Sequence, residues 1–173
     1  MPDYSMTKIG NLTHRYCLDT NAFIEPWNKY YSIESSPEYW QILDELAQKN
    51  IVFCTDQVKR EIERNDDNLK EWLSKRSYFV KDETEKVQIN VRKILAKFPH
   101  LISVGANRSM ADPWVIAHAM SESATVVSKE IAVNPKQKTN KIKIPDVCKE
   151  FDVRCINDFV FNNEVGIKFK AGI

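Results

Sequence analysis

The chain predicts an α/β fold, a three-layer α/β/α sandwich around a mainly parallel sheet of four or five strands. Three observations carry that expectation. Short apolar runs without alternation, such as Tyr16-Cys17-Leu18 and Ile51-Val52-Phe53-Cys54, read as strands buried on both faces. Between them lie segments whose apolar residues recur three and four apart, the spacing of helices with one buried face. Strand and helix alternate along most of the chain, which calls for a parallel sheet with right-handed crossovers, and the strands are too few to close a barrel.

A chain of 173 residues fits one domain and buries about two-thirds of its extended surface on folding. Residues 1–14 are polar and aperiodic and read as an extension; residues 15–173 form the single domain. Hydrophobic residues make up 43% and charged ones 28%, an ordinary globular balance. No apolar run is long enough for a bilayer, and the first fifteen residues lack the apolar centre of a signal peptide, so a cytoplasmic protein with no membrane contact is expected. Cys17, Cys54, Cys148 and Cys155 show no Cys-x-x-Cys pair and no matched histidine spacing, which suits plain buried thiols in a reducing compartment. A net charge of +1 rules out a broadly basic nucleic-acid binder, so any such contact must come from a local patch.

The first strand spans Arg15 to Leu18, and after Asn21 the residues Phe23, Ile24 and Trp27 keep a loose helical spacing up to Tyr30 and Tyr31. Ser35-Ser36-Pro37-Glu38 predicts a helix start, with Ser35 as cap, Pro37 in the first turn and Glu38 completing a capping box. Tyr39, Ile42, Leu43 and Leu46 form its inner face, and the helix ends near Asn50. A second strand follows over Ile51 to Cys54. Thr55 or Asp56 caps the next helix, on which Val58 and Ile62 point inward and Glu61 borders them. Asp66 to Arg76 predicts a short helix with Leu69, Trp72 and Leu73 inward, and Thr84 to Lys97 a longer one ended by Pro99. A helix from Met110 to Met120 places Asp112, Ile116 and Ala119 on one face. Thr125 to Ser128 is a third strand, Asp146 to Phe151 a short helix behind Ile144-Pro145, and Arg154 to Asn157 a fourth strand. The tail from Asp158 to Ile173 allows either a helix or a strand.

These elements bring carboxylates to one edge of the sheet. Asp19 ends the first strand, Glu61 follows the second, Asp112 opens the helix before the third, and Glu130 follows that strand. Like charges gathered in a half-buried pocket are costly unless a cation neutralises them or some take up protons. Hard oxygen donors without histidine or cysteine suit Mg²⁺ or Mn²⁺, which can activate water for attack on a phosphodiester. Each acid also has a plainer role. Asp112 can be a first-turn helix acid, Glu61 a solvated helix residue, and Asp19 the acceptor of an Asx turn with Asn21. His118 reads as a packing residue.

In that order the motifs resemble the PIN-domain nucleases, and within them the branch known as domain of unknown function 4411, related to VapC-like toxins. The likeness runs through Leu18-Asp19-Thr20-Asn21, Val58-x-x-Glu61-Ile62, Ala111-Asp112-Pro113-Trp114-Val115-Ile116-Ala117 and Val126-Val127-Ser128-Lys129-Glu130. Lys143-Ile144-Pro145-Asp146-Val147-Cys148 and Arg154-Cys155-Ile156-Asn157 resemble that branch in particular. The resemblance implies a PIN-like fold and a metal-dependent endoribonuclease, the toxin of a type II toxin–antitoxin pair with a cognate antitoxin and a homodimeric state. It implies Asp19, Glu61, Asp112 and Glu130 as catalytic acids holding Mg²⁺ or Mn²⁺, with Thr20, Asn21, Ser128 and Asp146 supporting them. The family's fourth acid usually follows a Thr-x-Asp pattern, whereas Ser128-Lys129-Glu130 stands here. Lys129, Lys136, Lys138, Lys141 and Lys143 are candidate RNA phosphate contacts, with a solvated loop as the alternative. Trp27, Tyr30 and Tyr31 either stack bases or pack a core. Two rivals remain: a PIN-like RNA- or protein-binding module without turnover, and a haloacid-dehalogenase-type phosphatase. The latter needs an acid where Asn21 stands.

Overall fold

The computed structural model describes residues 14–102, 110–133 and 142–168. The expected extension, apart from His14, lies outside them, as do Lys136, Lys138, Lys141 and residues 169–173. Five strands, β1 (Tyr16–Leu18), β2 (Val52–Thr55), β3 (Val80–Lys81), β4 (Thr125–Val127) and β5 (Cys155–Ile156), form an all-parallel sheet in the order β3-β2-β1-β4-β5. The three residues of β1 lie at its centre, Tyr16 opposite both Val52 and Thr125, and Leu18 opposite Val127. All of β1, β2 and β4 is buried, which is why their sequences are continuously apolar. The chain builds outward from β1 through β2 to β3, then returns to add β4 and β5 on the other side. The order therefore reverses between β1 and β4. In open parallel sheets the carboxyl ends of the strands at such a reversal flank the ligand-binding crevice.

Among the described residues eight α-helices cover the sheet: α1 (Asn21–Glu25), α2 (Pro37–Gln48), α3 (Asp56–Asn65), α4 (Asp67–Ser74), α5 (Glu85–Lys97), α6 (Asp112–Glu122), α7 (Ile144–Glu150) and α8 (Asp158–Glu164). The most apolar, α6, lies across β1, β2 and β4, with α5 and α7 beside it. Side-chain caps set four of these helix starts. Thr55 accepts from the Val58 N–H at 3.2 Å, Asp66 from Leu69 at 2.9 Å, Thr84 from Val87 at 3.3 Å and Asn157 from Val160 at 2.9 Å. The tail is helical because Asn157 caps it and Phe161 packs edge-on against Tyr16 at 5.1 Å, while the Tyr16 hydroxyl donates to Glu164 at 2.8 Å.

One sequence expectation is corrected. The α2 cap position belongs to Ser36, which makes no side-chain cap bond, whereas Ser35 closes a turn by donating its N–H to Ser32 Oγ at 3.1 Å. Pro37 does occupy the first turn. The strand β3 has only two residues, too few to show any period. Helix α1 changes into a π-helical turn over Pro26–Tyr30, because Pro26 offers no N–H; the Tyr31 N–H reaches five residues back to the Pro26 carbonyl at 2.7 Å.

That turn carries Trp27 into an aromatic cluster, 4.7 Å from Trp40 between ring centres, with Trp40 5.2 Å from Trp72 and Trp72 5.6 Å from Phe79. Edge-to-face packing of this kind stabilises beyond area burial. Cys17, Cys54 and Cys148 are buried, Cys155 is partly so, and all four are free thiols. No helix among the described residues is long and apolar enough to cross a membrane.

Candidate functional site

The site grows from the last step of β1. The Asp19 N–H still donates to Val127 O at 2.9 Å, continuing the ladder to β4, and its carbonyl accepts the Ala22 N–H at 3.0 Å as α1 begins. Strand end and helix start are thus one residue apart, which holds the Asp19 side chain at the sheet edge. It is 2% exposed. Burial drives its pKa up to about 7, hydrogen bonds from the Thr20 N–H and Ser128 offset part of this, and the charges of Glu130 and Glu61 add to it.

Each Asp19 oxygen accepts a hydrogen bond: Oδ1 from the Thr20 N–H at 2.7 Å and Oδ2 from the Ser128 hydroxyl at 3.1 Å. From there two chains of hydrogen bonds run outward. On one side the Thr20 hydroxyl donates to Glu61 Oε2 at 2.6 Å, and the Ala111 N–H donates to Glu61 Oε1 at 3.1 Å. Ala111 is the cap residue of α6, so Glu61 is anchored one residue from Asp112, which is half-buried at the first helical position. On the other side the Glu130 N–H donates to Ser128 Oγ at 3.1 Å. The Glu130 carboxylate accepts from Lys143 Nζ at 3.0 Å and from the Ile144 N–H at 2.7 Å. The loops after β1 and β4, the middle of α3 and the start of α6 therefore meet around Asp19.

The donor set is entirely oxygen, the chemistry of a hard divalent ion. Among the described residues no three acidic, histidine or cysteine groups already cage an ion; Asp19 and Glu61 are held through Thr20, which gives its N–H to one and its hydroxyl to the other. That arrangement fits Mg²⁺ or Mn²⁺, which keep most of their waters and need only one or two carboxylates from the protein.

The remaining candidates divide. Asn21 is exposed at the start of α1. Asp146 accepts the Val133 N–H at 3.2 Å and the Lys143 N–H at 3.1 Å, which ties backbone together at the start of α7. Lys129 does not face outward: its ammonium lies 2.9 Å from Asp158 and 3.6 Å from Glu25, and 4.7 Å and 5.6 Å from the ring centres of Tyr30 and Phe159. Nothing in the lysine-rich sequence signals this, since the partners come from α1, the π-turn and α8. Of the aromatic trio, Trp27 is in the core and Tyr31 packs on Tyr39 at 4.6 Å, while Tyr30 is 52% exposed beside Lys129. His118 is buried, its Nε2 without a hydrogen-bond partner among the described residues, and desolvation lowers its pKa. The Thr20 and Ala111 N–H groups are contributors that residue types cannot reveal, being backbone.

The chain resembles two solved structures. One is VapBC2 from Rickettsia felis bound to a DNA fragment from its promoter, at 18% identity over 82% of this chain and 97% of that one, with a TM-score of 0.48. The other is VapBC-1 from nontypeable Haemophilus influenzae, at 14% identity over 82% and 96%, with a TM-score of 0.49. Likeness at this level says nothing of activity. No curated protein matches the chain significantly. The model of a family described as a domain of unknown function, DUF4411, matches residues 16–169, from β1 past α8 and through all four acids, and the chain belongs to that family.

Proposed function

We propose that this chain is a Mg²⁺- or Mn²⁺-dependent endoribonuclease that hydrolyses RNA phosphodiester bonds. The observation that supports it most is Asp19, a buried carboxylate at the sheet's reversal point, tied to the Glu61 carboxylate through Thr20, whose N–H it accepts and whose hydroxyl Glu61 accepts. A carboxylate so placed holds a proton or a cation, and a divalent cation at such an edge is a phosphodiester reagent. Asp19, Glu61 and Asp112 would hold the ion. When bound, it lowers the pKa of an attacking water and stabilises the leaving oxygen. Thr20 keeps Asp19 and Glu61 in one arrangement, and Ser128 orients Asp19 from the β4 side. Lys136, Lys138 and Lys141 would meet RNA phosphates.

The resemblance to VapC-like toxins supports a toxin role, with a cognate antitoxin as partner, a homodimer as the working form and the cytoplasm as its place. Cleavage of RNA with Mg²⁺ or Mn²⁺ tests the chemistry, with Asp19→Asn and Asp112→Asn as controls. Wild type is expected to cleave and both variants to lose more than about 100-fold, the scale of removing a charge-stabilising group at a reacting centre. Equal activity in all three proteins would end the proposal. A second reading, a module that binds RNA or protein without turnover, is favoured by one observation: both oxygens of Glu61 and of Glu130 already accept hydrogen bonds. Cleavage absent while RNA binding persists would select it.

A further inference from the structure

We infer that Glu130 is a positioning residue and not a metal ligand: its carboxylate and that of Asp146 form a reciprocal clasp holding the chain after β4 to the start of α7. The inference rests on the nuclease reading for its catalytic consequence, but its geometry stands alone. Glu130 Oε1 accepts from Lys143 Nζ at 3.0 Å and Oε2 from the Ile144 N–H at 2.7 Å. Asp146 answers from the other strand of the clasp, accepting the Val133 N–H through both oxygens at 3.2 and 3.3 Å and the Lys143 N–H through Oδ2 at 3.1 Å. Two carboxylates thus take three backbone N–H groups and one ammonium. The Ile144 and Lys143 N–H groups belong to the first turn of α7, where donors have no partner within the helix, so a carboxylate there is stabilising on two grounds.

The extra methylene matters. Glu130 sits two residues beyond Ser128, and its backbone N–H holds Ser128 Oγ, the donor to Asp19 Oδ2. The backbone of this residue therefore serves the Asp19 side of the site, while its longer side chain reaches away to α7. Glu130 remains close enough for its charge to raise the proton affinity of Asp19, and the Lys143 ammonium limits that effect. A bound ion recruiting Glu130 would have to strip the Ile144 N–H of its acceptor, at the penalty of an unsatisfied donor on a buried residue.

Amide hydrogen exchange and Mn²⁺ calorimetry on the full chain test this together. In the wild type the Ile144 amide is expected to be protected, and Mn²⁺ to leave that protection unchanged. Glu130→Ala is expected to speed Ile144 exchange by about tenfold or more, the effect of deleting a hydrogen bond worth roughly one factor of ten. Glu130→Gln, which retains one acceptor, serves if the alanine variant does not fold and is expected to speed exchange less. Lys143→Met, which leaves every carboxylate in place and removes the ammonium from Glu130, is expected to lower RNA cleavage in parallel with Glu130→Gln. Mn²⁺ affinity should move less than about threefold in either, below the roughly 10- to 100-fold seen when a group bonded to a ligand is lost. Faster Ile144 exchange on adding Mn²⁺ would overturn the clasp, as would unchanged exchange in Glu130→Ala. A loss of Mn²⁺ affinity in Glu130→Gln equal to that in Asp19→Asn would also overturn it. If the wild type cleaves no RNA, the nuclease reading fails and the exchange data still decide the clasp.

Discussion

The two ends of β1 carry opposite charges in opposite conditions. At the amino end the Arg15 guanidinium meets Glu122, donates to Asn50 O at 3.0 Å and to Asn50 Oδ1 at 2.9 Å, and lies 4.9 Å over the Phe53 ring. Every charge there has its counter-charge or a neutral acceptor. At the carboxyl end, four residues on, Asp19 accepts the Thr20 N–H and the Ser128 hydroxyl, with no cationic side chain bonded to either oxygen among the described residues. The amino end is a balanced ion pair, and the carboxyl end is where the proposed nuclease would hold its ion. A balanced ion pair needs no partner, whereas a buried carboxylate at the reversal point of a parallel sheet does.

The largest expected effect is on pH-dependent stability without metal. The folded chain holds the Asp19 proton up to about pH 7, while the unfolded chain releases it near the ordinary 3.8. Between those values the folded state binds more protons, so the Asp19 contribution is present at low pH and lost as pH rises towards 7. Denaturant unfolding in chelator should show Asp19→Asn gaining on wild type by up to about 1.4 kcal/mol per pH unit across that window, and level above it. A flat difference would break the contrast between the two ends.

Thr20→Val comes next. It removes the hydroxyl that holds Glu61 and keeps the Thr20-position N–H on Asp19. Calorimetry should show Mn²⁺ affinity lower by roughly 10- to 100-fold, the usual effect of losing a group that orients ligands. Arg15→Met should cost only about 1 kcal/mol, less in high salt, because the Arg15–Glu122 pair is partly exposed at 22% and 31%. Its Mn²⁺ affinity should equal that of wild type. Smallest of all is His118→Leu, 6.5 Å from the Phe53 ring on the Arg15 side. Burial holds the folded-state pKa of His118 below its ordinary value, so its contribution is present at neutral pH and lost on acidification. Unfolding curves of wild type and variant should therefore coincide at pH 8 within about 1 kcal/mol and separate in favour of the variant below pH 6.

The contrast also explains what the sequence made legible. The buried strands announced themselves because β1, β2 and β4 are apolar on both faces, and Asp19 stood out against that background. The α3, α4 and α5 starts were visible because Thr55 or Asp56, Asp66 and Thr84 precede periodic runs. Tertiary contact decided the rest. Two residues of β3 carry no period, and the choice of Ser36 over Ser35 depends on Ser32 closing a turn. Lys129 reads as a free lysine until Asp158, Glu25 and two rings from other elements enclose it. Glu130 reads as a fourth ligand in the sequence, which gives no sign of the Ile144 N–H and Lys143 ammonium on its oxygens. Side chains near the site keep their types in sequence, but their partners are chosen by the fold.

The account's central claim is that the carboxyl end of β1 is completed by a divalent cation. Isothermal calorimetry of Mn²⁺ with wild type, Arg15→Met and Asp19→Asn tests it most directly. The predicted result is a saturable site in the first two proteins that disappears in Asp19→Asn. Wild type without Mn²⁺ binding, or Asp19→Asn with undiminished binding, would contradict it.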